Sequence, residues 1–597
     1  MKCNVVRKIK TCFTAVFLFS ASCCFAQNTG LGSQILPAKY FKSKFRETGV
    51  IFTSPDTVLK KLFDAAESKA IKNVHYFSPA YTVMVEGGEY PFVWLETQPM
   101  GGVMYAKRDI NIALDNIRIF INNQRNDGLL AGMVYNTGNN VWNMHDPTAE
   151  DGTLGLHFDA LQGLYLAQPA LELYYLLNHD KEYLGAIYNA LEKYDNYLWK
   201  YRDSDKDGCL ETWGMTDNGE DHLERFRYAP WAWPGNIAPK LEKFANISDA
   251  SDVGDCPVPE ESMDLMGYSY SCRDVLAKIS AITNNGKRDY WRDKANAVSR
   301  KMKDYLWVPE KKAYFYRNRE NNLVNSLAHN NIRCMYFGTM SQSMADDFIR
   351  YHLLNPDEFW TPMPLTSIAA NDPYFRNIKN NNWSGQPQGL TYQRAIRAIE
   401  NYGHYAEVSL IGKKLLGKVS KTLLFTQQFD PYTSEQNGSD NYGPTILSVL
   451  EYFSRMYGVY LENDEVHFNG LPLKENYSYS QRMGNDVYKT TQENTIIKGY
   501  LNDIEIFACT AGVSVVTGLK GEFVRVNGID SLARQVTLVI KGITHKGEVL
   551  PNGSYVLRDS KLVLDKKVPF DYPYKKPDFP VGPKVAVPAG KTVELKL

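Results

Sequence analysis

The sequence predicts a mainly α protein, a toroid of helical hairpins followed by a small C-terminal antiparallel β domain. Three observations carry this expectation. From about residue 56 to 458, apolar residues recur at helical spacing in roughly a dozen segments. Long loops rich in aromatic, Gly, Asn and Pro residues join them. After about Gly458 the texture changes to runs of β-branched residues separated by turn signals. The chain has 597 residues, 44% hydrophobic and 22% charged, which suits one large globular domain plus a smaller one.

Residues 1–26 read as a secretory leader. Lys2, Arg7, Lys8 and Lys10 precede a short apolar run, Cys12 to Phe19, and small residues near Cys24-Phe25-Ala26 mark a cleavage site before Gln27. The run is too short to span a bilayer. Cys23 and Cys24 after Ser20-Ala21-Ser22 offer a lipid-anchored alternative, but they match a lipobox poorly, and cleavage after Ala26 is the preferred reading. A secreted, periplasmic location is expected, with no transmembrane segment.

Residues 27–459 form the expected helical domain. Ser54-Pro55 starts a helix over Asp56 to Asn73. Val103 to Asn123 carries a stripe of Ile110, Ala113, Leu114, Ile117 and Phe120. Similar stripes occupy roughly 160–178, 181–201, 264–284, 287–306, 341–354, 388–402, 404–418 and 443–459. Residues 460–597 form the β domain, read as a sandwich from runs such as Thr495 to Tyr500 and Val536 to Ile540 and turns such as Asn552-Gly553.

Composition narrows the function. Lys plus Arg and Asp plus Glu are 67 each. Without the leader the balance is slightly acidic and no basic run stands out, so there is no electrostatic footprint for nucleic acid. Aromatics reach 13%, with 39 Tyr and 10 Trp, a supply of flat faces for sugar C–H surfaces or for a Tyr-rich core. Of nine cysteines, four lie in the leader, and Cys209, Cys256, Cys272, Cys334 and Cys509 are widely spaced. That excludes a disulfide scaffold or a zinc site and leaves a Cys256–Cys272 pair open. No phosphate loop, nucleophile elbow or dinucleotide fingerprint stands out, and no cofactor or metal is expected. Asp203-Ser204-Asp205-Lys206-Asp207-Gly208 begins like a calcium loop with Gly in the sixth place. The twelfth place is Gly214 rather than Glu, and the segment is read as a polar turn.

The stretch Asp207-Gly208-Cys209-Leu210-Glu211-Thr212-Trp213-Gly214-Met215-Thr216-Asp217-Asn218-Gly219-Glu220-Asp221 carries the chemistry. An acidic Gly-rich turn, Trp-Gly, then a carboxylate resembles the general-acid loop of inverting (α/α)6-barrel glycoside hydrolases of families 63 and 37. These are the relatives of processing α-glucosidases, mannosylglycerate hydrolases and trehalases. Four further segments resemble the same families in the same order: Trp94-Leu95-Glu96-Thr97, Gln168-Pro169, Ser262-Met263-Asp264-Leu265 and Trp383-Ser384-Gly385-Gln386-Pro387.

The resemblance implies an (α/α)6 barrel and an exo-acting glycoside hydrolase that cleaves oligosaccharides with inversion. Such chemistry needs two carboxyl groups, one protonated to release the leaving oxygen and one ionised to activate water. The resemblance makes Asp217 the acid, with Glu220, Asp221, Trp213 and Trp231 placed to raise its pKa. Trp94, Glu96, Gln168, Trp213, Asp264, Trp383, Gln386 and Gln427 are the implied sugar-pocket residues. The position that holds the basic Glu in family 63 is here Gln427, and an amide cannot deprotonate water. Glu435 is the preferred substitute, with Asp440 and Glu96 as alternatives. Two other readings remain at this stage: a non-catalytic glycan-binding protein, favoured by Gln427, and a polysaccharide lyase on a related toroid.

Overall fold

Twelve α-helices among the described residues alternate between two layers. The computed structural model describes residues 47–583 apart from 227–228, 230, 232–257 and 319, together with residue 36. The leader, its lipidation alternative and Cys256 lie outside the described residues.

The helices are α1 Thr57–Lys72, α2 Gln98–Tyr105, α3 Ile110–Ile121, α4 Ala167–Leu176, α5 Lys181–Tyr201, α6 Met263–Thr283, α7 Arg288–Lys301, α8 Asn330–Phe337, α9 Gln342–Phe348, α10 Gly389–Glu400, α11 Tyr405–Thr422 and α12 Gly443–Tyr457. Helices α2, α4, α6, α8, α10 and α12 each pack on the next, and α12 closes on α2 to complete a ring of six. Helices α1, α3, α5, α7 and α11 pack outside it.

Side chains explain the layering. Helix α1 buries only the stripe Leu62, Phe63, Ala66 and Ala70, as a helix with one wet face must. Every residue of α12 is buried, and its sequence is apolar or small around most of its circumference. Helix α8 is likewise buried all round, so Asn330-Asn331-Ile332-Arg333 shows no stripe and the helix was not expected from the sequence.

The segment expected as one helix over Val103 to Asn123 is two. Helix α2 ends at Tyr105, and Asp109 caps α3 by accepting a hydrogen bond from the Asn111 amide at 2.8 Å. The break lets Lys107 turn inward to the Glu451 carboxylate at 2.6 Å.

The β domain begins directly after α12. A six-stranded sheet runs Val459–Glu462, Glu465–Gly470, Val513–Gly518, Phe523–Gly528, Gly553–Arg558 and Lys561–Lys567. A seven-stranded sheet is ordered Thr48–Thr53, Tyr477–Met483, Asp486–Glu493, Ile496–Leu501, Ile504–Thr510, Arg534–Ile540 and Ile543–Val549. The first of these strands lies before the barrel in sequence. It pairs antiparallel in the register Thr48↔Met483 to Thr53↔Ser478. The domain is therefore neither small nor purely C-terminal, and the protein is less dominated by helix than expected. It rests on the toroid chiefly through α12, which contacts Glu465–Gly470 and Val459–Glu462.

No helix among the described residues is long and apolar enough to cross a membrane. Cys209, Cys272, Cys334 and Cys509 are buried free thiols.

Candidate active site

The segments that lead into the inner helices gather at one end of the ring and enclose a cavity of about 410 Å³. Glu86, Tyr90, Trp94 and Glu96 precede α2, and Gln162 precedes α4. Thr216 and Asp221 precede α6, Asn381 and Trp383 precede α10, and Gln427 and Tyr442 precede α12. A three-stranded sheet of Val93–Trp94, Met133–Asn136 and Leu154–His157 adds Met133 and His157, with Trp142 between the last two strands. The inner helices thus turn their N-terminal, partially positive ends toward a wall rich in carboxylates. The volume falls in the range of small-ligand sites.

The segment between Trp213 and Asp221 is held at nearly every residue. Asp217 is fully buried, and its carboxylate accepts from Arg202 at 2.6 and 3.1 Å. It also accepts from the Trp213, Gly214 and Leu161 amides at 2.8, 3.1 and 3.3 Å. The Asn218 carbonyl accepts from Arg333 at 2.6 Å.

Gly219 adopts φ +65°, and a Cβ there would collide with the Glu96 carboxylate, so only glycine allows this approach. Glu220 is fully buried against Arg225 at 3.3 Å and His329 at 3.1 Å. Burial alone would raise its pKa, but Arg333, His329 and Arg225 together hold it below the usual carboxylate range. The His329 imidazole, stacked on Trp383 at 5.2 Å, is driven down to about 3 by burial and Arg333.

Asp221 is the carboxylate that this framework delivers to the cavity. Its Oδ2 accepts from Asn381 Nδ2 at 2.8 Å, and its Oδ1 has no hydrogen-bond partner among the described residues. Burial raises its pKa to about 6, with only the Asn381 hydrogen bond opposing. Glu86 is the second such group. It accepts from the Tyr442 hydroxyl at 2.8 Å, and its pKa is pushed well above the carboxylate range by burial and then by the Glu96 charge. Glu96 is raised by burial but compensated by Arg394 at 2.7 Å, and it also accepts from Gln162 at 3.0 Å.

Of the residues expected from sequence, Trp94, Glu96, Trp383 and Gln427 line the cavity, and so does Trp231, expected as an aromatic wall beside the acid. Gln427 donates to Asn381 at 2.9 Å and accepts from Tyr90 at 3.3 Å, which fixes its amide on the wall.

The other expected residues stand elsewhere. Asp217 does not line the cavity, and both its oxygens are committed to Arg202 and backbone amides. Glu435 is exposed, paired with Lys379 at 2.7 Å, and does not line the cavity. Asp440 is tied to Lys69 at 2.6 Å, also off the wall.

Trp213 is buried under the Arg202 guanidinium, 3.8 Å from the ring centroid. Asp264 is buried behind the site, bonded to Tyr316, Asn330 and Arg333. Gln386 is buried between Asn377 at 2.7 Å and Asn437 at 2.8 Å, and Gln168 is half-buried in the first turn of α4, off the cavity wall. Sequence reasoning missed Glu86, Tyr90, Trp142, Gln162, Asn381 and Tyr442 as site residues. Asp221 it placed only as a neighbour of the acid.

A six-membered helical toroid with a carboxylate- and aromatic-lined cavity at one end of its inner helices is the architecture of the six-hairpin glycosidases. The profile of the mannosylglycerate hydrolase MGH1-like glycoside hydrolase domain matches residues 91–445, and the chain belongs to that family.

Among solved structures, the GH63 mannosylglycerate hydrolase from Thermus thermophilus in complex with glucose is similar at 16% identity and a TM-score of 0.50. The match covers 66% of this chain and 99% of that one. A sialidase structure aligns with 84% of this chain and 44% of its own at 12% identity and a TM-score of 0.58. Neutral trehalase Nth1 from Saccharomyces cerevisiae aligns with 66% of this chain and 80% of its own at 11% identity and a TM-score of 0.43. No curated protein sequence matches the chain.

Proposed function

We propose that the protein is a secreted, exo-acting glycoside hydrolase that cleaves oligosaccharides with inversion, using Asp221 as general acid and Glu86 as general base. The observation that carries this reading is the pair of buried carboxyl groups on one aromatic-walled cavity, neither of them in an ion pair among the described residues.

Asp221 gives its proton to the glycosidic oxygen as the bond to the anomeric carbon breaks. Glu86 takes a proton from the water that forms the new bond to that carbon. Glu86 is favoured over the other wall carboxylates for a physical reason. Glu96 is held by Arg394 and Gln162 and serves as a hydroxyl clamp, whereas Glu89 is exposed at the rim. Trp94, Trp142 and Trp383 present ring surface to the sugar. Secretion rests on the leader, and exo-action and inversion on the family resemblance.

Glu86→Gln tests the base. It is expected to lower kcat by roughly a hundred- to ten-thousand-fold while leaving the fold intact by circular dichroism. A variant with near wild-type turnover would remove Glu86 from the mechanism.

The pH profile follows from the same pair. The active form carries one proton on the two carboxyl groups, so it exists between their two apparent pKa values. Burial raises both groups, Asp221 to about 6. The window of the one-proton form, whose productive tautomer carries the proton on Asp221 and leaves Glu86 ionised, therefore lies above the range of unperturbed carboxyls, and both limbs of kcat/KM are expected there. A lower limb near about 4, the range of an unperturbed carboxyl, would contradict the assignment.

The second reading, sugar binding without turnover, draws on Gln427 in the position expected for the base. It predicts binding of the same oligosaccharides with no release of product.

A further inference from the structure

The turn after α5 meets a buried carboxylate from a distant strand, and together they form a constellation separate from the cavity. Carboxylate oxygens of Asp203, Asp205 and Asp207 lie within 4.8 Å of one another, and so do those of Asp205, Glu211 and Glu261. Asp205 belongs to both groups and links them, although the five carboxylates do not all lie that close to one another. Glu261 arrives from the two-stranded ribbon in which Glu211 pairs with Glu261 and Thr212 with Glu260.

Glu261 supplies the independent observation. It is 4% exposed, the weak thiol donor of Cys209 lies against its carboxylate, and its Oε2 is buried with no hydrogen-bond partner among the described residues. A buried carboxylate oxygen without a donor or a cation is costly, and native structures rarely tolerate one. The nearby cations serve other atoms: Lys301 reaches Asp207 at 3.2 Å, and Lys206 meets the Asp203 carbonyl. Ser204 and the Trp213 indole donate to Glu211 at 2.7 and 3.1 Å.

We propose that this constellation is a calcium site, with Asp205, Glu211 and Glu261 as carboxylate ligands of one ion and Asp203 and Asp207 beside them on the same loop. The donors are all hard oxygens on flexible carboxylates, some able to bind through both oxygens, which suits the adaptable geometry of calcium better than the compact octahedron of magnesium. The loop carries acidic residues in its first, third, fifth and ninth places and glycine in its sixth. That glycine, Gly208, has φ +87°, the left-handed conformation that such a turn needs. The carboxylate missing from the twelfth place of the loop is supplied across the ribbon by Glu261. The cation ties the end of α5 to the ribbon from which the Trp213–Asp221 segment departs, and so it acts as a positioning element for Asp221.

The test uses the purified protein stripped with chelator. Calorimetric titration with calcium chloride is expected to show a single site. Calcium in hundredfold excess over its dissociation constant should raise the melting temperature by at least about 2 °C, and magnesium chloride should not. Terbium bound there is expected to luminesce on tryptophan excitation, because the Trp213 indole touches Glu211.

Glu261→Gln and Asp205→Asn, checked for folding by circular dichroism, are each expected to weaken calcium binding at least about tenfold and to lose the terbium signal. The absence of calcium binding by the wild-type protein would overturn the proposal even if one variant fails to fold. Wild-type affinity in either folded variant would overturn it equally.

Discussion

Asp221→Asn is expected to lower kcat/KM by roughly a hundred- to ten-thousand-fold and to leave the melting temperature within a degree or two of wild type. An Asn preserves the shape and can still accept from Asn381 at that position, but it carries no transferable proton. The loss should be smaller for substrates with an activated leaving group such as nitrophenolate, because such a group departs without a proton. Equal losses on activated and unactivated glycosides would point to a role in binding rather than in proton transfer.

Asp217→Asn is expected to behave in the opposite way. Arg202 and Asp217 are both completely inaccessible, and the ion pair is completed by three backbone amides. Removing the negative charge takes away the carboxylate that the buried Arg202 guanidinium meets at 2.6 and 3.1 Å, and breaking comparable buried pairs costs about 3–5 kcal/mol. The primary effect is a lower denaturation midpoint, readable by urea unfolding. Activity per folded molecule should fall less than in Asp221→Asn, because Asp217 positions the segment and does not face the cavity. A variant as stable as wild type but without activity would return Asp217 to the chemistry.

These two residues also show how far the sequence could be read. The helical toroid is legible because outer helices such as α1 must alternate a buried stripe with a wet face. Its inner helices are less so: α8 is buried on all sides and carries no stripe to betray it. The strand Thr48–Thr53 is equally hidden, since nothing local announces that a segment before the barrel will pair with Tyr477–Met483 beyond it.

In the candidate site, the acid-bearing stretch is recognisable, but the choice between two aspartates four residues apart is not. A short 3-10 turn at Met215–Asn218 and the left-handed Gly219 reverse the chain between them. Asp217 therefore points into Arg202 and Asp221 into the cavity. Register of that kind is a property of tertiary contacts, here with Arg202, Arg333 and Arg225. Glu86 lies in the turn just past the strand Tyr81–Met84, and nothing in that local pattern marks it as a site residue. It becomes visible only when the Gly443 amide at the start of α12 donates to its carbonyl at 2.6 Å and Tyr442 to its carboxylate. Trp94, Glu96, Trp383 and Gln427 are legible because their neighbours in sequence carry the family resemblance.

The calcium proposal follows the same logic. The loop alone lacks its last carboxylate, and the ribbon pairing of Glu211 with Glu261 restores it from a residue far away in sequence.

The measurement that tests the central claim most directly is proton NMR of the wild-type reaction, followed from the first minutes on α- and β-linked oligosaccharides. The account predicts release of a terminal sugar whose first-formed anomer is opposite in configuration to the bond cleaved. Release of the same anomer, or of no sugar from any linkage despite measurable binding, would contradict it.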